Sequence, residues 1–389
     1  MSIRRIIFWS HLVVGLSVGT IVAFLAATGC ILALQPQIVR WAERGTVIST
    51  PAPMASCVTP SVLLEDASRV ASASPTTVTF FSDPHVPAQI AFGPDRLLLA
   101  DACRGTVLAP GAERLRVFFA NVRDLHRWVA LNGVRHERLR AIKDAGSLGF
   151  GLLIVSGLFM WLPRQISWKH LRPVTLLRFK LRGRARDWNW HNVFGFWMAV
   201  PLLIIVATGA VMAYPWANAV LYKFSGSPLP TRVERPDMTG KTLPKERWPK
   251  LNAAIQEAEG KDPRWHSLQL RMPMEKDTNL SFMIDEGEGG KPMERSQLIL
   301  ALKDGHVVRW ETYYSVPRGR RWRLINRYLH TGEIFGLTGQ IVALLAALSA
   351  LLLVYTGFAL ALRRWRSWRK RLYVREHSSE SSEKVMADV

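Results

Sequence analysis

Four stretches of this chain are long and apolar enough to dictate its architecture: Ile6–Leu34, Ala145–Leu162, Val193–Tyr214 and Ile334–Leu362. A hydrocarbon layer about 30 Å thick is crossed by roughly 20 helical residues. Backbone polar groups inside lipid must be bonded internally, so each stretch is expected as a helix. The first reads as a retained span. Its apolar run is too long for a signal peptide, and Gln35-Pro36 follows without a small-residue cleavage site.

Charge then sets the orientation. The formal net charge of +21 invites a nucleic-acid partner, but its distribution excludes one. Residues Arg164 to Asp187 carry eight Lys/Arg and one acid, and Arg363 to Arg375 carry seven more basic residues. Arg4 and Arg5 open the chain. With four spans these clusters share one side, which the positive-inside rule makes cytoplasmic, with both termini there and the protein in a bacterial inner membrane. Residues 36–125 hold eight basic and eight acidic residues and suit the outer, periplasmic side. Cys57 and Cys103 lie in that segment, where an oxidising compartment would allow them to pair. Cys30 lies within the first span as a small packing residue. No CxxCH occurs, so covalently attached haem is not indicated.

Comparison of the chain with itself exposes a repeat. Span one reads His11-x3-Gly15 and ends Thr28-Gly29. Span three reads His191-x3-Gly195 and ends Thr208-Gly209. Span two is introduced by Leu125-His126-Arg127-Trp128 and ends Ser156-Gly157. Span four is introduced by Leu329-His330-Thr331-Gly332 and ends Thr356-Gly357. The expected fold is therefore an α-helical membrane protein: four transmembrane helices forming a two-fold internal repeat, with two outer α+β domains. The boundaries are span one at 1–35, a first outer domain at 36–125, span two at 126–163 and a basic loop at 164–190. Span three follows at 191–215, a second outer domain at 216–328, span four at 329–363, and a basic, then disordered tail at 364–389. Each outer segment begins with a helix (60–72 and 249–258). Strand patterns follow at 76–81, 88–92 and 96–100, and at 266–272, 280–284, 297–302 and 306–310. Lys303-Asp304-Gly305 suits a turn between the last two.

His11, His126, His191 and His330 occupy matched places in this repeat. Repeat symmetry sets His11 against His191 near the cytoplasmic face, and His126 against His330 near the outer face. Facing imidazoles in an apolar bundle are suitable axial ligands for two b-type haems. The alternative role for any one of them is an interfacial hydrogen bond. Zinc also takes histidine, but usually with four ligands including Cys or carboxylate. His136 competes with His126 as the outer ligand, because His126 precedes Gly157 by four residues more than His330 precedes Gly357. Arg318, Arg320, Arg321 and Arg323, just before His330, are expected to meet lipid phosphates, with an anionic ligand or a haem propionate as the alternative.

The motifs Leu125-His126-Arg127-Trp128, Trp190-His191-x3-Gly195, Leu329-His330-Thr331-Gly332-x3-Gly336 and the run Arg321–Gly339 resemble the PepSY-associated transmembrane family, and within it the FoxB-type siderophore-iron reductases. The resemblance covers nearly the whole chain. It implies PepSY-like outer domains, haem at His11, His126, His191 and His330, and an enzyme that reduces ferric siderophore in the periplasm. No flavin or nicotinamide motif is present. A separate electron donor, quinol or a cytoplasmic reductase, is expected. A siderophore permease and a non-catalytic sensor or interaction protein are the competing readings; the first calls for broken helices at mid-membrane, the second for no haem.

Overall fold

The computed structural model describes residues 2–46, 48, 58–93, 96–131, 136–162, 167–230 and 242–387. In chain order it forms α1 (Ile3–Ala33), α2 (Gln35–Glu43), α3 (Pro60–Ala71), β1 (Thr77–Phe81), β2 (Ala88–Phe92), β3 (Arg96–Asp101), β4 (Thr106–Pro110), α4 (Glu113–Trp128), α5 (Glu137–Trp161) and α6 (Trp168–Thr175). There follow α7 (Gly183–Trp197), α8 (Ala199–Ala213), α9 (Pro215–Phe224), α10 (Pro249–Lys261), β5 (Ser267–Arg271), β6 (Asn279–Asp285), β7 (Arg295–Ala301), β8 (Val307–Thr312), α11 (Arg318–Thr331) and α12 (Gly336–Ala387). The chain divides into two units. One contains Met1–Cys30, Asp124–Ala210 and Ile341–Val389; the other contains Ile31–Arg123 and Val211–Gln340.

The first unit is helical. Among the described residues three helical runs are long and apolar enough to cross a membrane, Ile3–Thr46, Glu137–Trp161 and Glu333–Tyr373, and a fourth is completed if α7 and α8 count as one bent span. That pair meets at 62°, and Met198 between them leaves the helix at φ −97° and ψ 1°. Pro201 supplies the reason: it has no N–H for the carbonyl of Trp197, and its ring crowds that oxygen. At the end of α5, Leu162 turns to ψ 115°, the conformation a following proline imposes. Glycine lets α1 and α5 close on each other. A Cβ at Gly146 would stand 2.6 Å from Ile21 Cγ2. Such contacts hold membrane helices together where lipid gives no hydrophobic drive between them. Ala26, Ile154, Ala199, Leu202, Val206, Ala346 and Ala350 form the buried centre.

The tail differs from expectation. Instead of becoming disordered, α12 continues to Ala387. A span that has already nucleated extends at the cost of one residue per hydrogen bond, so Ser and Glu prolong it that could not have started it.

The second unit corrects the expectation of two separate outer domains. The two strand sets form one eight-stranded antiparallel sheet in the order β4-β3-β2-β1-β5-β6-β7-β8. β1 and β5 join the halves, with Thr77 opposite Arg271 and Phe81 opposite Ser267. Each half is a helix followed by a four-strand meander; the first half carries one strand, β4, beyond the three expected. Each also carries an irregularity at the same place, Leu99/Ala100 and Ile299/Leu300. Val78, Ile90, Leu268, Leu270, Phe282 and Leu298 meet α3 and α10 in a single core around Trp248, none of these seven residues exposed to solvent. The joint follows from alternation: Val78 and Leu270 face each other on the buried side, and neither half covers that face alone. β4 went unpredicted because it is a partly exposed edge strand ending in proline. The expected turn at 303–305 is present, with Gly305 at φ +76°.

Cys103 is disulfide-bonded; its expected partner, Cys57, lies outside the described residues. Cys30 is a free thiol. Arg320 and Arg321, expected at lipid phosphates, are engaged within the fold: Arg320 donates to Glu311 at 3.0 Å and Arg321 to the Val316 carbonyl at 2.9 Å.

Candidate functional site

The sequence placed its histidines at the ends of spans, and the helical unit brings two of them together. His11 lies in the third turn of α1 and His191 in α7. Their ring centres are 6.5 Å apart and their planes stand at 82°. Each ring is tied to a different neighbouring helix. His11 Nδ1 is 2.9 Å from Ser156 Oγ on α5. His191 Nδ1 is 2.9 Å from Thr356 Oγ1 on α12. The glycine after each hydroxyl residue leaves room for the imidazole edge: His11 Cε1 would be 3.4 Å from a Cβ at Gly157, and His191 Cε1 3.6 Å from one at Gly357.

His126 repeats the arrangement near the other end of α1. Its Nδ1 is 2.7 Å from Thr28 Oγ1, and its Cε1 would lie 3.9 Å from a Cβ at Gly29. Seventeen residues separate His11 from Thr28, which is about 25 Å along a helix. His126 belongs to α4, and Gly157 to the separate helix α5. His330 likewise sits in the last turn of α11, which Gly332 ends at φ +78° before α12 begins. His136 is exposed at the start of α5, without the hydroxyl contact that His126 makes.

Proton accounting fixes which ring nitrogen is which. Ser156 Oγ lies 2.6 Å from the Leu152 carbonyl, Thr356 Oγ1 2.8 Å from that of Leu352, and Thr28 Oγ1 2.9 Å from that of Phe24. A carbonyl has no proton, so each hydroxyl donates its only one there. The imidazole must then donate from Nδ1 to the hydroxyl oxygen. Each ring is held as the Nδ1–H tautomer, and Nε2 keeps its lone pair. That is the form an imidazole takes as a ligand.

The spacing suits an ion between the first two rings. With imidazole–metal bonds of about 2.0 Å on each side, opposed rings have centres roughly 6.3 Å apart. Among the described residues no group of three or more His, Cys, Asp or Glu could hold a metal. A tetrahedral zinc site lacks its ligands, whereas a haem iron brings four nitrogens of its own and needs two. Trp190, beside His191 in the chain, buries an indole Nε1 with no acceptor among the described residues. His11 and His191 therefore fit axial ligation.

Sequence reasoning noticed the Ser/Thr-Gly pairs as repeat markers and assigned the hydroxyls no role. It also missed Asn189, buried two residues before His191. Its amide donates to the carbonyls of Pro173 and Leu176 at 2.7 and 3.0 Å and accepts from Arg178 N at 3.0 Å. Trp161 and Trp197 donate to Val174 and Thr175 carbonyls in the same loop, at 3.1 and 2.9 Å. The basic loop is thus laced beneath the His191 helix. Asn189→Leu strips that loop of three bonds, at about 1–3 kcal/mol for each buried group left unmet. The expected outcome is faster protease cleavage within residues 164–182 while the sheet unit keeps its resistance.

No curated protein matches the chain. The family described as "PepSY-associated TM region" matches residues 8–364, a stretch holding both copies of the repeat and all four matched histidines. The chain belongs to the PepSY-associated transmembrane family.

Proposed function

We propose that this chain is an inner-membrane dihaem oxidoreductase of the FoxB type, passing electrons across the bilayer to ferric siderophore iron in the periplasm. His11 and His191 hold one b-type haem, and His126 and His330 the other. The observation that carries this reading is the His11/His191 pair, with each Nδ1 on a hydroxyl and ring centres 6.5 Å apart. Haem supplies a one-electron carrier.

The chain's own residues do the rest. Ser156, Thr356 and Thr28 hold the imidazoles as Nδ1–H tautomers. Gly157 and Gly357 admit the ring edges. Ala26, Ile154, Leu202 and Ala346 keep water from the bundle centre. Each ferric ion gains one electron and becomes ferrous. Siderophore oxygens are hard donors matched to trivalent iron, so reduction loosens the ion and leaves the chelator intact. With no nucleotide-binding motif in the chain, electrons come from a separate donor, quinol or a cytoplasmic reductase.

The test is a reduced-minus-oxidised spectrum of the purified protein, followed by mixing the pre-reduced protein with a ferric siderophore and a ferrous-iron chelator. Sharp b-type bands and formation of the ferrous complex are expected. A protein that stays colourless with haem supplied is instead a sensor or a permease. The permease reading draws on the 62° bend in the third span, a feature transporters use at mid-membrane.

A further inference from the structure

Serine and threonine inside membrane helices commonly bond the carbonyl one turn back and do nothing more. Ser156 and Thr356 make that bond and also meet an imidazole on a different helix, each at 2.9 Å. The same double contact recurs at Thr28 and His126. A local backbone preference explains the first contact of each hydroxyl. It does not explain the second, which at Ser156, Thr356 and Thr28 falls on a repeat-matched histidine.

Resting on the haem reading above, we infer that Ser156 and Thr356 are positioning residues that set the reduction potential of the site held by His11 and His191. The physical link is ligand basicity. An acceptor at Nδ1–H pushes electron density through the ring to Nε2, and a more basic ligand favours the higher oxidation state of a bound metal. A carboxylate would push hard and an apolar neighbour not at all. A neutral hydroxyl, pinned by its own bond to Leu152 or Leu352, sits between these limits and cannot turn away.

The experiment uses the full-length protein purified with haem, and the variants Ser156→Ala and Thr356→Val, the second nearly isosteric with its parent. Ser156→Thr and Thr356→Ser serve as conservative replacements. Haem content, midpoint potentials from a spectroscopic redox titration, and the electron paramagnetic resonance g-values of the ferric form are measured. Ser156→Ala and Thr356→Val are each expected to keep both haems and to raise one potential. The reduction equilibrium should move about tenfold, equivalent to about 59 mV for one electron. The conservative variants should match the parent. Unchanged potentials and g-values in Ser156→Ala and Thr356→Val, with His191→Ala still removing a haem, would overturn the inference and leave the haem reading standing. A parent protein without haem overturns both. If one variant does not accumulate, the other decides alone, since each hydroxyl meets its own ring.

Discussion

His191→Ala is expected to remove one of two haems, halving the haem-to-protein ratio while the other haem keeps its potential. The loss follows from geometry. His11 and His191 approach each other in the helical unit, and no group of three or more candidate ligands among the described residues stands ready to replace either. His11→Ala should give the same spectrum as His191→Ala, and the double variant no greater loss, because either deletion leaves the iron one axial ligand short. His126→Ala should remove the other haem. His136→Ala should leave both, since that side chain is exposed at the head of α5. Pyridine haemochrome analysis with a redox titration checks all five. Two full haems in His191→Ala would end the assignment. The fold should survive these changes: Leu268, Leu270, Phe282 and Trp248, the core of the sheet, lie in the other unit.

Gly332→Ala is expected to cost several kcal/mol and to disturb the site that His330 serves. Gly332 sits at φ +78°, where a side chain costs about 1–2 kcal/mol. A Cβ there would also stand 2.3 Å from the Gly339 carbonyl oxygen and 2.5 Å from its carbon. These are backbone atoms and cannot swing aside as a flexible side chain would. Overpacking of this kind adds about 1–3 kcal/mol. The start of α12 must move away from the end of α11, whose last turn carries His330. A lower Tm together with altered bands from one haem alone is the expected signature. Gly260→Ala is the control. A Cβ there meets nothing within 4 Å, and inside a helix alanine is neutral or stabilising. Equal Tm values for the two variants would show that the close approach of Gly332 and Gly339 does not constrain the chain.

Periodicity and internal repetition carried much of the architecture. Apolar runs gave the spans because lipid demands continuous helix, a requirement visible in one dimension. Alternation located most strands for the same reason. Pro201 accounts for the bend at Met198. Elsewhere the sequence misled. The tail from residue 378 reads as polar and unstructured, yet α12 carries helix to Ala387, since what matters there is the span already formed rather than local composition.

By itself the sequence determined the number of apolar runs, the twofold repeat and the identity of four matched histidines. All of these depend on spacing along the chain. Only the tertiary structure decided that the two strand sets share one sheet, because the pairing of Val78 with Leu270 spans 192 residues and no local pattern encodes it. Only it brought hydroxyls on neighbouring helices to within 3 Å of Nδ1 of His11, His126 and His191. A tautomer depends on where one proton can go, and that is settled by which atoms lie within 3 Å of it in space.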